Sequence, residues 1–549
     1  MSPVSTRSFL ATTLVLFTVL TAALTFPQVL HLQDGVHDDG DPLLNAWALS
    51  WVAHQLPRAP AHLFDANIFY PERRTLAFSE TLIAPALAVA PLQWAGVGPI
   101  LISNIVLLSG FIVSGVGMAL LVRLLTGNTG AAILGGIVFA FLPYRLDHYP
   151  HLQLQQTQCL PFALWAFHRL LRSGRLMDGV LVGVFTAGQI LSCMYYGLFL
   201  LPYMAVVCGA LLVADRGWSR PRIMALVVAA AITVAAVIPV GRAYLAARKV
   251  VGERQANEVA GGSARWWNYL GPPESSLVYG KVLERFADSE RRLFPGFVAV
   301  VLAAVALWPP VAAPRVAYAL GLILAVDVSL GFNGFTYRVL YDYFLPFRGL
   351  RIPARMGMMA GFSLAVLAGY GAARVTGWLR SPGARSAALA AIGVLMIAEY
   401  ASKPLDLQTI PVAAPESYAD LVRDLGDSPT APIFEFPVSA GDDPTYMYFS
   451  TWHWQSLVNG YSGFFPPSYR RLAKAMETFP DERSIQEMKA HGTRYLLVHG
   501  ERMIGDRYQT LLPRLDRRPD MILVSRRPAM RTGQHGEISL YRVSYAAAR

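Results

Sequence analysis

The chain has 549 residues, 54% hydrophobic and 15% charged, with a net charge of +11 and three cysteines. Soluble domains carry about a quarter charged residues, so that class is excluded. The excess of Lys and Arg falls largely in short loops between apolar runs, where it orients a membrane protein, and no nucleic-acid partner is implied. Cys159, Cys193 and Cys208 all lie in apolar segments, against both a disulfide framework and a thiolate zinc site.

Apolar runs recur from Phe9 to Tyr400. The spans read as 9–30, 100–122, 129–143, 153–170, 178–194, 197–214, 223–240, 294–308, 316–331, 356–374 and 386–400, about eleven in a polytopic α-helical membrane protein. The first run, "FLATTLVLFTVLTAALTF", is read as an uncleaved helix because further spans follow it. Residues 79–98 are apolar, but Pro85 and Pro91 interrupt them. If that segment is re-entrant or juxtamembrane and the N-terminus is cytoplasmic, the clusters at Arg123, Arg169–Arg175, Arg216–Arg222, Arg315 and Arg374–Arg385 all face inward. The expected domains are then 1–400, a transmembrane domain with a first external loop at 31–99 bearing interfacial helices, and 401–549, extracytoplasmic.

The first external loop holds "HDDGDPLLNAW" at 37–47. Asp41-Pro42 has the form of a helix start, with Asp at the N-cap and Pro at the first helical position. Leu43, Trp47 and Trp51 share a face that would place indole rings at headgroup depth. Asp38, Asp39 and Asp41 are the candidate general bases, and Asp39 with Asp41 the candidate ligands of a divalent cation, magnesium or manganese, if one is used. The plainer account of Asp41 is a helix cap, and of Asp38 and Asp39 a solvated turn.

The turn "PYRLDHYPHLQ" at 143–153 brings Tyr144, Arg145 and His148 to the same face, as phosphate or sugar contacts. Its HxxH spacing alone is a weak zinc signal. "ARWWNYLGPPESS" at 264–276 offers Trp266 and Trp267 to a sugar face or to the membrane interface. The loop at 332–355 carries Arg338, Arg348, Arg351 and Arg355 against the single acid Asp342, contrary to the orienting charge bias. Guanidinium forks on an outer loop fit phosphate oxygens, and lipid snorkelling is the competing account.

From about residue 401 the pattern changes to soluble α/β. "APIFEFPVS", "TRYLLVHG", "DMILVSRR" and "EISLYRV" read as strands, and "PESYADLVRDLG" and "DERSIQEMKAHG" as helices ending at Gly. Between them lies "NGYSGFFPPSYRRL" at 459–472, with Tyr461 as a candidate acceptor contact. GxSxG, P-loop and HExxH motifs are missing from the sequence.

An Asp-bearing first loop, many spans, outward arginines and a C-terminal α/β region together resemble the GT-C superfamily of integral membrane glycosyltransferases. "GDPLLNAW" is similar to the DPxFN stretch of oligosaccharyltransferases, and "HDD" to the paired acids of the mannosyl- and aminoarabinose-transferase branch. The three segments at 143–153, 346–357 and 459–472 resemble those of large bacterial membrane proteins assigned to the superfamily. The resemblance implies transfer of a sugar from a polyprenyl-phosphate donor to a glycan, lipid or protein acceptor, with inversion, at the outer face of a bacterial inner membrane. Asp41, Asp39 or Asp38 would be the base, and Arg351, Arg355, Arg348 and Arg145 would hold the leaving phosphate. The sequence lacks a WWDYG-type acceptor motif and has Asp147 alone where a DxD pair would stand. The rival classes are a lipid-linked glycan flippase, for which Asp327 is the clearest intramembrane acid, and a non-catalytic envelope assembly protein.

Overall fold

The computed structural model describes residues 5–426, 430–531 and 534–545. It divides into two units. The first contains residues up to Leu30, Ile105–Val240 and Glu253–Leu405; the second contains His31–Asn104, Gly241–Gly252 and Asp406 onward.

Every apolar run read as a span is helical. Among the described residues, seven helices are long and apolar enough to cross a bilayer: Thr6–Leu24, Pro99–Thr126, Thr129–Asp147, Met194–Asp215, Arg220–Val251, Pro353–Trp378 and Pro382–Tyr400. The other runs form shorter helices, including Leu176–Ser192 and Phe297–Leu307, so seven rather than eleven meet the length requirement. The Ile83–Trp94 helix has only 12 residues. At 1.5 Å per residue it is about 18 Å long, well short of a hydrocarbon core of about 30 Å.

Within the first unit, the Gly357–Trp378 helix is buried on nearly every face. It packs against Phe297–Leu307, Thr129–Ala140 and Ala313–Ser329. Small residues permit this approach: a Cβ at Gly371 would collide with the Leu302 carbonyl, and one at Gly361 with the Leu142 side chain. Close backbone contact replaces the hydrophobic driving force that lipid removes.

The second unit is built on a four-stranded sheet, ordered Ile433–Phe436, Tyr495–His499, Gln534–Val543, Met521–Arg531. The first pair is parallel and the others antiparallel. All four strands read from sequence are present, as are both helices, at Glu416–Leu425 and Glu482–Ala490. Asp481 caps the latter by accepting from Ser484 N at 2.9 Å. The helices Asp443–Ser450, Pro467–Ala475 and Arg507–Asp516 are additional.

Residues of the first loop complete this unit. Leu457 bridges to Ile433 beside the first strand. Phe69 N and Tyr70 N donate to Asn459 O and Leu457 O at 3.0 Å each, and Leu457 N donates to Asn67 O at 2.7 Å. Asn67 binds this junction from its side chain: Oδ1 accepts from Trp47 Nε1 at 3.1 Å, and Nδ2 donates to Ser450 Oγ and Gln455 O, both at 3.1 Å. Trp47 is 1% exposed, and Trp51 donates its indole N–H to Leu63 O at 2.8 Å. The headgroup-facing indoles expected from the sequence are therefore core residues, because protein acceptors satisfy their N–H groups.

Candidate active site

The acids of the first loop belong to the second unit. Gly40, not Asp41, is the N-cap of the Asp41–Gln55 helix, and Asp41 is its first residue. Asp41 Oδ1 accepts a hydrogen bond from Tyr461 Oη at 3.0 Å. Asp38 Oδ1 accepts from Gly40 N at 2.9 Å, a local turn, and its Oδ2 lies 3.5 Å from His37 Nδ1. Asp39 is half-buried beside them.

Tyr461 is presented by a loop with a rigid base. The fully buried Asn459 accepts from Glu435 N at 2.7 Å and donates to Glu435 O and Asp443 Oδ1 at 2.9 Å each. Tyr469 donates to the other oxygen of Asp443. Glu435 Oε2 accepts from Tyr418 Oη at 2.5 Å and lies 2.7 Å from His499 Nε2, whose Nδ1 is 2.8 Å from Glu501 Oε1. Burial pushes the Asp443 carboxyl up to about 8, against the hydrogen bonds from Tyr469 and Asn459. Burial alone would lower the His499 imidazole; the Glu501 charge and the Glu435 hydrogen bond outweigh it and raise it to about 9.

The basic groups belong to the first unit, and the structure separates them by environment. Arg145 is 0% exposed and fully committed: Nε donates to Gln155 Oε1 at 3.2 Å, Nη1 to Ala140 O at 2.9 Å and Nη2 to Gln155 O at 2.8 Å. Its face also covers the Phe111 ring at 4.3 Å. In this structure its donors are turned to protein acceptors. Arg348 donates to Tyr341 O at 3.1 Å and Asp342 O at 2.9 Å, closing the end of the Thr336–Tyr343 helix. Arg351 has an exposed side chain, while its backbone N–H is anchored to Tyr195 Oη at 2.9 Å.

Arg355 is buried over the Tyr195 ring, 4.8 Å from its centroid. Arg355 Nη2 lies 3.2 Å from Glu290 Oε2, and the same oxygen is 3.3 Å from His148 Nε2. His151 Nε2 is 4.0 Å from Glu290 Oε1. His148 stacks on Tyr144, and its Nδ1 lies 3.0 Å from Tyr144 O. The turn at 143–153 and the arginine loop thus meet through Glu290, which sequence reasoning missed. Burial would raise the Glu290 carboxyl; the His148 hydrogen bond and the Arg355 and histidine charges hold it well below the usual range. Asn268 ties down its loop by donating to Asp288 Oδ2 at 2.9 Å. Trp266 and Trp267 begin that same segment as an edge-to-face pair 5.6 Å apart, with Trp266 69% exposed.

Asp327 accepts from Phe335 N at 3.0 Å and Thr336 N at 2.7 Å, so it caps a helix start rather than standing alone as an intramembrane acid. Among the described residues no group of three or more His, Cys, Asp or Glu is placed to hold a metal ion.

No family model matches the chain, and no curated protein does. Solved structures do. The arabinofuranosyltransferase AftD from Mycobacteria superposes with a TM-score of 0.68 at 14% identity, over 99% of this chain and 40% of that one. The fold is GT-C-like. The oligosaccharyltransferase AglB from Archaeoglobus fulgidus matches with a TM-score of 0.49 at 13% identity, covering 98% of this chain and 74% of that one. ArnT from Cupriavidus metallidurans matches with a TM-score of 0.49 at 12% identity, covering 96% and 97%. The chain spans about two fifths of the AftD length it matches.

Proposed function

We propose that this membrane protein is a glycosyltransferase that moves a sugar from a polyprenyl-phosphate donor to an extracytoplasmic acceptor. The observation that carries this reading is the Arg355 cluster: a buried guanidinium in a membrane unit, lying over the Tyr195 ring and sharing Glu290 with His148 and His151. Such a setting selects an anionic group attached to an apolar tail. The AftD-like fold is consistent with it.

In this reading Arg355 and the exposed Arg351 stabilise the charge that grows on the leaving phosphate. Asp41 accepts the proton of the acceptor hydroxyl, whose oxygen attacks the anomeric carbon. The bond from that carbon to the phosphate oxygen breaks, its electron pair leaves on the phosphate, and the configuration inverts. Trp266, Trp267 and Tyr461 offer ring faces to sugars. A magnesium-like ion fits Asp39 and Asp41 only with water or substrate oxygens completing its shell, because two carboxylates are too few alone. The N-terminus is cytoplasmic in this proposal and the second unit faces outward from a bacterial plasma membrane.

The test is transfer in proteoliposomes from polyprenyl-phosphate sugars to candidate acceptors. Asp41→Asn should retain its fold and lower turnover by about 10²–10⁴-fold, the usual contribution of a positioned base. Wild-type turnover in that variant would remove Asp41 from the chemistry, and substrate movement without a new glycosidic bond would indicate a flippase.

A further inference from the structure

Glu290 occupies the centre of the basic site, and its environment is unusual for a structural acid. Its backbone lies in the left-handed region, with φ of 63°, a strained conformation for a residue with a Cβ. Its side chain is 29% exposed, so the loop from Asp288 to Arg292 reaches into the site from the solvent side. The groups it meets are all donors or cations: Arg355 Nη2, His148 Nε2 and His151 Nε2.

The rest of the site is undersatisfied. Arg355 Nε is buried without a hydrogen-bond partner among the described residues. Tyr144 and Tyr196, hydrogen-bonded to each other, lie within the influence of the Arg355 charge and are essentially inaccessible. A carboxylate has two oxygens. A phosphate ester has more unesterified and bridging oxygens, tetrahedrally disposed, to meet additional donors. Buried donors without partners are expensive, and they mark a site shaped for a larger acceptor than the one it holds.

We propose that the Arg355–His148–His151 site is a phosphate-ester site closed by the chain's own Glu290, which leaves when the lipid phosphate enters. This rests on the donor reading above and adds to it that free enzyme is held shut by an internal competitor. On displacement, the 288–292 segment is released from its strained conformation, and the incoming phosphate takes over the contacts to Arg355 and His148. The apparent affinity for lipid phosphate is therefore reduced by the fraction of molecules in which Glu290 occupies the site.

The experiment measures binding of farnesyl phosphate to purified full-length protein, with farnesol and inorganic phosphate as parallel ligands. Wild type, Glu290→Gln, Glu290→Ala, Arg355→Gln and His148→Gln are compared, each checked for monodisperse elution and melting temperature. If Glu290 fills about nine tenths of wild-type sites, both Glu290 variants should bind roughly tenfold more tightly. Arg355→Gln and His148→Gln should bind more weakly, and farnesol should not bind by the same route. Competition by inorganic phosphate alone would assign the site to free phosphate instead of a lipid headgroup. Binding that depends on Arg355 but is unchanged or weakened in both Glu290 variants would overturn this inference and leave the donor reading standing. Binding indifferent to Arg355, or no binding by any variant, would overturn both.

Discussion

Tyr461 and Asp41, 420 residues apart in the chain, share a hydrogen bond of 3.0 Å. The residue that opens the first-loop helix is thereby fixed by a hydroxyl from the C-terminal α/β region. Tyr461→Phe removes that bond without removing the ring. Its expected effect is a loss of turnover of about tenfold, between wild type and Asp41→Asn, with little change in melting temperature, since one partly exposed hydrogen bond contributes about 1 kcal/mol. Steady-state transfer kinetics on the three proteins check it.

Two of the four arginines of the sequence reading, Arg145 and Arg351, should separate by phenotype. Arg145 is enclosed by carbonyls it satisfies, so Arg145→Gln should lower melting temperature and yield, by several kcal/mol of lost packing and orphaned acceptors. Arg351 is exposed, so Arg351→Gln should leave stability unchanged and reduce turnover. Thermal unfolding in detergent beside the transfer assay makes the comparison.

Asn67→Ala should destabilise the second unit by about 2–4 kcal/mol, because it orphans the Trp47 indole N–H and removes two further bonds at a buried junction. Protease protection of residues 31–104 and 406–549 together reports the loss.

Alkaline pH should loosen that same unit. The Asp443 carboxyl is raised from 3.8 to about 8, and His499 from 6.5 to about 9. Both groups bind protons more tightly when folded, so their stabilisation is full at low pH and is lost as pH rises, for Asp443 between about 4 and 8 and for His499 between about 6.5 and 9. Each contributes a slope of up to ~1.4 kcal/mol per pH unit in its window. Asp443→Asn should flatten the first part of the decline, as followed by melting temperature from pH 5 to 9.5.

Gly371→Val should disrupt the membrane unit, since the added side chain meets the Leu302 backbone carbonyl rather than a side chain that could swing aside. Loss of monodisperse protein is the expected outcome, whereas Gly377→Val, which meets nothing, should be tolerated.

Periodicity and composition made the helices and all four strands legible, because each depends on residues close in sequence. Asp41 was legible as a feature of the first loop, but its role as a cap was not correct: the preceding Gly40 takes that position and leaves the carboxylate to Tyr461. Trp47 and Trp51 were misplaced because an amphipathic helix beside a membrane span looks the same whether lipid or a sheet covers it. Glu290 had no sequence signal. It is one of several acids in a long polar loop, and only the folded chain sets it against Arg355 and His148.

The ladder from Asn67–Tyr70 to Leu457–Asn459 also bears on biogenesis. Asn67 must wait for Gln455, 388 residues downstream, so the first loop emerges from the ribosome without its docking partner while the intervening helices insert. Expressed by itself, the segment from 406 onward would lack the chain that covers this margin of its sheet, and would tend to self-associate through it.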